Sequence, residues 1–413
     1  MLEERLDRQL RIEGWDQRLL TEARIGVVGD DDLLVSLYAM SSSALGLNNM
    51  VVIAPRLDDS LLDTARRINP AFNMILIEGY YTHPVMDDIF TGCTAIVDLS
   101  QYGLANKLLL KKGFEQDTPI IRGFCYAQDD QEGFKVFTYV KGREWQDLEQ
   151  IVSRRNLPND HSDDGVLDII GSGVVLEQTK NVLMGRNVSE DVIGYNRKIL
   201  ETPRCDPRIC VVGAGALGNF VGLGLAYSGL RTITIIDPDL VEMTNLNRQV
   251  FLYDAIGLSK AETLSERLNR FFGTHAQPRV MYFRKDTDIS PYDVIFDCVD
   301  NFETRIVLSE KCKDEGKVLI SGGTNSAAGQ VVVFDPSQGD GTPAELLGLY
   351  DIVDKRRIEP YRRDTVSCAY QADPAVIMTN QIIAGFMVDS YRMLLGGQVR
   401  RNIFYNSTCG IRI

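Results

Sequence analysis

Residues 209–260 constrain the fold more than any other part of the sequence. A β-branched run at Ile209–Val212 meets the glycine turn 213–218 (GAGALG), which leads into an apolar helical segment and a second strand at 232–236. Asp237 ends that strand, where an acid would bind ribose hydroxyls. This order is typical of a nucleotide-binding α/β unit, because the glycines let the backbone approach phosphate and the helix N-terminus attracts negative charge.

A polar block, Asn245-Leu246-Asn247-Arg248-Gln249, follows the acid. It contains one fixed cation, and Lys260 adds a second. Two cations beside a bound nucleotide suit a triphosphate better than a nicotinamide cofactor. Further on, Asp297-Cys298-Val299-Asp300-Asn301 follows another strand at 293–296. An acid at the carboxyl end of a strand faces the ligand crevice, so Asp300 is a candidate ligand for the Mg²⁺ that accompanies ATP.

Together these segments resemble the E1-like adenylating family, the activators of ubiquitin-like and sulfur-carrier proteins. The resemblance rests on GAGALG, IDPDLVEMTNLNRQ, the following Lys260 and DCVDNFETR. It implies Mg²⁺- and ATP-dependent adenylation of the C-terminal glycine of a ubiquitin-fold protein, with release of pyrophosphate. Ala216 stands where the family usually has glycine, whereas Gly213, Gly215 and Gly218 are retained.

The resemblance also implies which residues bind the nucleotide. They are Gly213, Gly215, Ala216, Leu217, Gly218, Asp237, Asp239, Asn245, Asn247, Arg248, Gln249 and Lys260. Arg248, Lys260 and Asp300 are also expected to act in catalysis, with Asp300 as the metal ligand. Adenylation needs positioning and charge stabilisation rather than a protein nucleophile.

The first half of the chain reads as a degenerate copy of the second. Aligning the strands that begin at Ile25 and Ile209 puts Asp31 opposite Gly215. A carboxylate at that position would repel a phosphate. The polar block is missing from the first copy, and Gln101 stands in place of the predicted magnesium ligand. The first copy is therefore expected to have kept the fold and lost the nucleotide chemistry.

The expected fold class is α/β, with two tandem Rossmann-like ThiF-type adenylation domains forming a pseudo-dimer. The predicted inactive domain spans 1–190, and the active domain spans 191–413 with a catalytic-cysteine crossover segment at about 335–373. Apolar segments of similar spacing, 166–185 and 376–396, predict the helix that closes each copy. Tyr195-Asn196-Arg197 reads as the start of the second copy.

Two further residues follow from the implied E1 architecture. In the paired inactive and active domains of E1 enzymes, an arginine near the start of one domain reaches the ATP site of the other, and Arg8 occupies the position of that arginine. The alternative interpretation of Arg8 is an arginine on the surface of a helix. Cys368 is the expected acyl acceptor, because it ends a polar, mobile stretch just before a helix, where a thiolate is favoured. Its position resembles that in compact E1 enzymes, which implies transfer to an E2-like partner; the alternative is a plain loop cysteine.

The other cysteines have simpler interpretations. Cys210 is predicted inside a strand, Cys298 at a strand end between two acids, Cys312 on a helix and Cys409 in a late strand. The chain has eight cysteines and no CxxC pair, which is typical of a reduced, cytoplasmic protein without structural zinc. The missing zinc motif also counts against the sulfur-carrier branch of the family.

Charge narrows the range of partners. The formal net charge of −13 disfavours a nucleic-acid surface. The apolar segment 375–395 includes Asn380, Gln381, Asp389 and Arg392, which predicts a buried helix rather than a membrane span.

Three other functions stay open: activation of a sulfur-carrier protein, an NAD-dependent oxidoreductase, and a scaffold without activity. A homodimer beyond the internal pairing also stays open.

Overall fold

The computed structural model describes residues 2–140, 142, 148–158, 164–201, 206–339, 341–358, 374–398 and 402–413. Within these ranges the strands form two sheets. The first contains β1 (Arg24–Gly29), β2 (Asn49–Ala54), β3 (Asn73–Glu78), β4 (Ala95–Leu99), β5 (Ile120–Gln128), β6 (Gln131–Tyr139) and β7 (Ile193–Lys198). The second contains β8 (Ile209–Val212), β9 (Ile233–Ile236), β10 (Gln277–Arg279), β11 (Val294–Asp297), β12 (Val318–Thr324), β13 (Ala328–Phe334), β14 (Ile403–Asn406) and β15 (Gly410–Arg412).

The helices lie between and beside these strands. Those before β8 are α1 (Leu2–Leu10), α2 (Gln17–Thr21), α3 (Asp32–Leu45), α4 (Asp59–Ile68), α5 (Gly103–Gln116), α6 (Leu148–Ile151) and α7 (Gly165–Leu183). Those after it are α8 (Ala216–Tyr227), α9 (Lys260–Phe272), α10 (Phe302–Asp314), α11 (Pro343–Leu346), α12 (Leu349–Ile358) and α13 (Ile377–Leu395). Short 3-10 helices occur at Pro84–Phe90, Met243–Asn245, Val250–Leu252 and Pro336–Gln338.

The two sheets have the same strand order, which confirms the internal repeat. The first runs β3-β2-β1-β4-β5-β6-β7, and the second runs β10-β9-β8-β11-β12-β13-β14-β15. In each, the first five strands are parallel and the next ones antiparallel. The central strands β1 and β8 are buried, β-branched runs, as expected for parallel strands covered on both faces. The predicted α/β fold with two Rossmann-like units is therefore confirmed.

The junction between the two units differs from the prediction. Tyr195 and Arg197 lie in β7, which pairs with β6 and completes the first sheet. The first sheet thus extends to Lys198, past the predicted domain boundary at residue 190. Tyr195-Asn196-Arg197 is an edge strand of the first unit and not the start of the second, because its backbone hydrogen bonds go to β6. The first unit thus comprises the described residues up to 198, and the second unit those from 206.

The two closing helices, α7 and α13, pack against each other at the centre of the molecule. Both are buried around nearly their whole circumference, as apolar core helices are. Glycines allow the close approach: a Cβ on Gly173 would lie 2.8 Å from Ile382 Cγ1. Gln381 of α13 donates hydrogen bonds to the Ile169 carbonyl at 2.9 Å and to Ser172 Oγ at 2.8 Å. This packing joins the two units as the predicted pseudo-dimer.

A buried ion network reinforces the same interface. Arg197 of β7 bonds to Asp389 of α13 at 2.7 Å, to Asp164 at 3.1 Å and to Glu132. Arg392 of α13 reaches Asp164 at 2.6 Å. Burial alone would raise the pKa of Asp164, but the hydrogen bond and charge of Arg392, helped by Arg197, lower it to about 2. Asp164 also caps the N-terminus of α7. One carboxylate therefore stabilises the start of this helix and links the two units through Arg197 and Arg392.

The polar stretch that begins at residue 335 is more ordered than predicted. Up to residue 358 it contains α11 and α12, which pack on α10. Thr342 and Glu345 form a capping box at the start of α11, and Lys313 of α10 pairs with Glu345 at 2.6 Å. These local hydrogen bonds give the segment a structure that its composition does not suggest. Across the described ranges, no helix is long and apolar enough to cross a membrane.

Candidate active site

The glycine turn after β8 requires glycine at two of its positions. Gly213 has φ +105°, and a Cβ there would lie 2.6 Å from the carbonyl oxygen of Cys298. A Cβ on Gly218 would collide with the carbonyl oxygen of Gly213. These two glycines therefore let α8 start close against β8 and β11. Their role is to build the turn.

Gly215 has a different role. It lies at the N-cap of α8 with φ −72°, a value open to any residue, and the nearest atom to an added Cβ would be Gln249 Nε2 at 3.8 Å. No side chain caps α8 there, and its first turn holds no acid. Ala216 and Leu217 follow with buried side chains, so they offer only backbone N–H groups. An uncapped helix N-terminus beside a glycine is suited to bind phosphate.

Asp237 lies at the end of β9, next to this turn. Its carboxylate accepts hydrogen bonds from the backbone N–H of Ala214 at 2.6 Å and of Asp239 at 2.8 Å. Burial raises the pKa of Asp237, against the effect of these bonds and of Lys260. Lys260, the first residue of α9, pairs with Asp239 at 3.0 Å. The structure thus brings the predicted ribose acid and the predicted lysine to one edge of the sheet.

The polar block packs beside the turn as a set of bonded side chains. Asn245 Oδ1 accepts the N–H of Glu242 at 3.0 Å, so this side chain holds a local turn. Asn247 is fully buried, and its Oδ1 accepts a bond from Arg248 Nη1 at 2.8 Å. Gln249 Oε1 is buried and has no hydrogen-bond partner among the described residues. Such an orphaned acceptor near Gly215 fits a site whose ligand supplies a donor.

Two other predicted catalytic residues, Arg8 and Asp300, act electrostatically on Arg248. The α1 helix of the first unit packs on the 3-10 helix Met243–Asn245 of the second. Burial, and next the charge of Arg8, lower the pKa of Arg248 to about 10, while Asp300 and Glu242 act in the opposite direction. Arg8 of the first unit therefore lies within electrostatic range of Arg248. Arg248 is buried and Arg8 half-buried, and a bound polyanion would be attracted by both guanidinium groups.

Asp300 is exposed in the turn between β11 and α10. The preceding acid, Asp297, is buried and pairs with Arg305 at 2.8 Å and with Ser321 at 2.6 Å. Arg305 also donates to the Val299 carbonyl at 2.8 Å, which fixes the loop that carries Asp300. Sequence reasoning did not single out Arg305, although it stands inside the DCVDNFETR segment.

Asn219 is a second residue that sequence reasoning missed. Its Nδ2 donates to the carbonyls of Ala214 at 3.0 Å and Gly215 at 2.9 Å, and its Oδ1 accepts the N–H of Phe251 at 2.9 Å. It thereby ties the glycine turn to the segment that follows the polar block. Its position on the buried face of α8, one residue after the last glycine of the motif, was the available signal.

The described cysteines differ in how far their side chains are buried. Cys210, Cys298 and Cys312 are buried, and burial raises the pKa of each thiol, so none is a ready nucleophile. Cys409 is exposed in the turn between β14 and β15, so the prediction that it lies inside a strand is wrong: Asn406 Oδ1 accepts its N–H and closes the turn. Cys368 lies outside the described residues.

The corresponding place in the first unit is closed by its own side chains. Asp31 caps α3 and accepts the N–H groups of Leu33 and Leu34, each at 3.0 Å. Asp30 accepts the N–H of Gln101 at 2.9 Å. The helix N-terminus that would receive a phosphate is therefore already neutralised by a carboxylate. This geometry agrees with the predicted loss of nucleotide chemistry.

Residues 204–408 match the sequence model of the ThiF family. The second unit of this chain is a ThiF-family domain. Among its relatives, Adenylyltransferase and sulfurtransferase MOCS3 of Dictyostelium discoideum is 31% identical over 145 residues, 33% of this chain and 33% of that protein. Molybdopterin-synthase adenylyltransferase of Escherichia coli is 30% identical over 164 residues, 37% of this chain and 66% of that protein.

Another relative carries the name of a different activity. The tRNA threonylcarbamoyladenosine dehydratase of Escherichia coli is 32% identical over 155 residues, 35% of this chain and 54% of that protein. The chain spans only 33–40% of the length of four MOCS3 relatives. Among solved structures, MccB of Escherichia coli with ATP matches at 18% identity and a TM-score of 0.40, over 50% of this chain and 63% of that one.

Proposed function

We propose that this ThiF-family chain is an E1-like activating enzyme for a ubiquitin-like protein. Its second unit adenylates the C-terminal glycine of that protein with Mg²⁺ and ATP. A cysteine then takes the acyl group as a thioester and passes it to an E2-like partner. The observation that carries the proposal is that α1, the helix of the first unit that bears Arg8, packs on the polar block of the second: it contacts Met243–Asn245, and Asn247 Nδ2 donates to Gln9 Oε1 at 3.2 Å.

The adenylation step follows from the charges around the glycine turn. The triphosphate lies at the N-terminus of α8, against Gly215, with Arg8, Arg248 and Lys260 to balance its charge and Asp237 to bind the ribose. A carboxylate oxygen of the carrier attacks the α-phosphorus, and the bond from that phosphorus to the bridging oxygen breaks. Pyrophosphate leaves with the electron pair. The residues act by holding the reactants in line and by stabilising negative charge in a buried place.

The donor set fits a magnesium ion that is shared with the substrate. Asp300 offers an exposed carboxylate whose charge acts on Arg248, and Mg²⁺ is usually bound by one or two carboxylates together with substrate phosphates. No cluster of three or more His, Cys, Asp or Glu side chains occurs among the described residues. Bound there, the ion would neutralise phosphate charge, while Arg305 keeps the Asp300 loop in place.

The second step uses the thiol of Cys368. Its thiolate attacks the carbonyl carbon of the acyl-adenylate, the bond to the phosphate oxygen breaks, and AMP leaves. Cys368 precedes α13 in the sequence, and α13 begins next to the polar block: Asn247 Nδ2 donates to the Ala375 carbonyl at 3.3 Å. Buried Cys210, Cys298 and Cys312 are poor alternatives because burial raises the pKa of their thiols.

Activation of a sulfur-carrier protein is the second candidate. Two of the relatives above are named adenylyltransferases, and one of them is also named a sulfurtransferase. This candidate shares the adenylation step but needs no E2-like partner. The degenerate first unit favours the E1 proposal, because a covalently linked partner that binds no nucleotide itself and supplies Arg8 is expected of an inactive–active pair. An NAD-dependent oxidoreductase leaves Arg8, Arg248 and Lys260 without a role.

An intact-mass assay tests the proposal. The protein is mixed with Mg²⁺, ATP and candidate ubiquitin-fold proteins that end in an exposed glycine. We expect an adduct of one carrier that is removed by thiol, present in the wild type and in Cys409→Ala but absent from Cys368→Ala. Cys409 is the matched control because it is an exposed cysteine, in the turn between β14 and β15. Carrier-dependent AMP formation without an adduct would favour sulfur-carrier activation, and no AMP with any carrier would refute adenylation.

A further inference from the structure

The α1 helix contributes a second polar side chain toward the second unit. Gln9 is fully buried between the end of α3 and the polar block. Its Nε2 donates to the Leu45 carbonyl at 2.8 Å and to Gln17 Oε1 at 2.6 Å. Its Oε1 accepts a bond from Asn247 Nδ2 at 3.2 Å. Gln9 thus joins the C-terminus of α3 in the first unit to the site in the second.

The hydrogen bonds continue from Asn247 to the nucleotide site. Arg248 Nη1 donates to Asn247 Oδ1 at 2.8 Å and to the Thr244 carbonyl at 2.9 Å. Asn247 and Gln9 are fully buried, and Arg248 nearly so, so water cannot replace a lost partner cheaply. An unbroken chain of hydrogen bonds therefore leads from the Leu45 carbonyl through Gln9 and Asn247 to the Arg248 guanidinium.

The Leu45 carbonyl oxygen, at the start of this chain of hydrogen bonds, constrains how the amide groups along it are oriented. A backbone carbonyl only accepts, so Gln9 must turn its NH₂ group toward Leu45. Its oxygen therefore faces Asn247, which must present its own NH₂ group there. The remaining Asn247 oxygen then faces Arg248, which only donates. Reversing either amide would set two donors against each other, so the Gln9 oxygen, together with the Ala375 carbonyl that accepts from the same NH₂ group, keeps the Asn247 oxygen toward the guanidinium.

We propose that Gln9 is a positioning residue for adenylation, which acts through Asn247 to hold Arg248 at the triphosphate. The inference rests on the proposed function of the second unit. It gives the degenerate first unit a second role besides supplying Arg8, because the end of its α3 helps to orient an arginine of the active unit through Gln9 and Asn247. Asn247 also bonds to the Ala375 carbonyl, so the same amide holds the start of the closing helix.

The test compares Gln9→Met with Arg5→Met. Arg5 lies one turn earlier on α1 and donates to the Ala44 carbonyl at the same end of α3, at 2.5 Å. Within the described part of the chain this bond stays inside the first unit, so Arg5→Met loosens α1 without breaking the hydrogen bonds that lead to Asn247. We expect Gln9→Met to raise the KM for ATP in carrier-dependent ATP–pyrophosphate exchange at least tenfold more than Arg5→Met does. The KM for the carrier should change less than twofold.

A double-mutant cycle completes the test. In an Asn247→Ala background, Gln9→Met should have almost no further effect, because the intermediate link is already gone. Equal KM changes in Gln9→Met and Arg5→Met, or losses that multiply in the double mutant, would overturn the inference. The same cycle is measured by calorimetric binding of Mg-ATP. A wild type that binds ATP but never exchanges pyrophosphate refutes the proposed function alone, while unchanged ATP affinity in Gln9→Met refutes the positioning role alone.

Discussion

Replacing Gly215 by alanine should separate nucleotide binding from folding. The residue has φ −72°, and its added Cβ would have no neighbour closer than 3.8 Å. The fold therefore tolerates the methyl group. The new group would, however, occupy the face of the turn where a phosphate has to approach the backbone N–H groups of α8.

The expected magnitudes follow from these contacts. A glycine-to-alanine change at a compatible backbone conformation stabilises a protein by about 0.4–1 kcal/mol, because the unfolded chain loses freedom. Losing one hydrogen bond to a charged phosphate costs about 1.5–3 kcal/mol, which corresponds to a rise of about 10- to 150-fold in the Kd for ATP. Gly215→Ala should thus bind ATP much more weakly while unfolding at the same or slightly higher urea concentration.

Gly213→Ala provides the matched control two residues earlier. Its φ of +105° and the Cys298 carbonyl oxygen at 2.6 Å both exclude a side chain, so this variant should lose about 2 kcal/mol or more of folding free energy. Calorimetric titration with Mg-ATP and urea unfolding followed by circular dichroism measure the two quantities. A Gly215→Ala variant that binds ATP within threefold of the wild type would refute the assignment of this turn as the phosphate site.

Three further results are expected. Arg8→Ala should slow carrier-dependent ATP–pyrophosphate exchange at least about tenfold with an unchanged urea midpoint; an unchanged exchange rate would contradict its role. Asp389→Ala should cost about 3 kcal/mol in urea unfolding, because it removes one of the three carboxylates that pair with buried Arg197; a loss below about 1 kcal/mol would contradict the importance of the Arg197–Asp389 pair. The pKa of Asp164 falls from 3.8 to about 2 on folding, so its contribution of about 2 kcal/mol is present above pH 4 and lost as the pH falls toward 2. Unfolding of Asp164→Asn should lack that part of the acid dependence, and a profile parallel to the wild type would count against it.

The sequence predicted the parts of the fold that depend on local pattern. The glycine turn, its flanking strands and the two closing helices all lie close to their predicted positions, because strand runs and glycine turns are short-range signals. The strand order of the second sheet repeats that of the first, as the alignment of Ile25 with Ile209 implied. Asp31 likewise lies at a helix start, where its carboxylate opposes phosphate.

The parts that were missed depend on contacts between distant residues. Tyr195 and Arg197 resemble the start of the second unit, but their strand pairs with β6 and completes the first sheet. Gln9 and Asn247 are far apart in the chain, so nothing near either residue indicates their hydrogen bond. Cys409 follows a short strand and was predicted to belong to it, although Asn406, three residues earlier, is a turn signal.

The carboxylate of Asp31 permanently occupies the N–H groups at the start of α3, where a phosphate would otherwise bind. It neutralises the start of α3 inside the chain, so the first unit gains nothing from an added nucleotide. The second unit leaves the start of α8 without such a group, so an anion bound there would exchange with the solvent. ATP should therefore stabilise the protein by mass action at only one of two sites that share a topology, and a titration should end at one nucleotide per chain. Saturating ATP should slow amide hydrogen exchange at the start of α8, while the amides at the start of α3 keep the protection they already have.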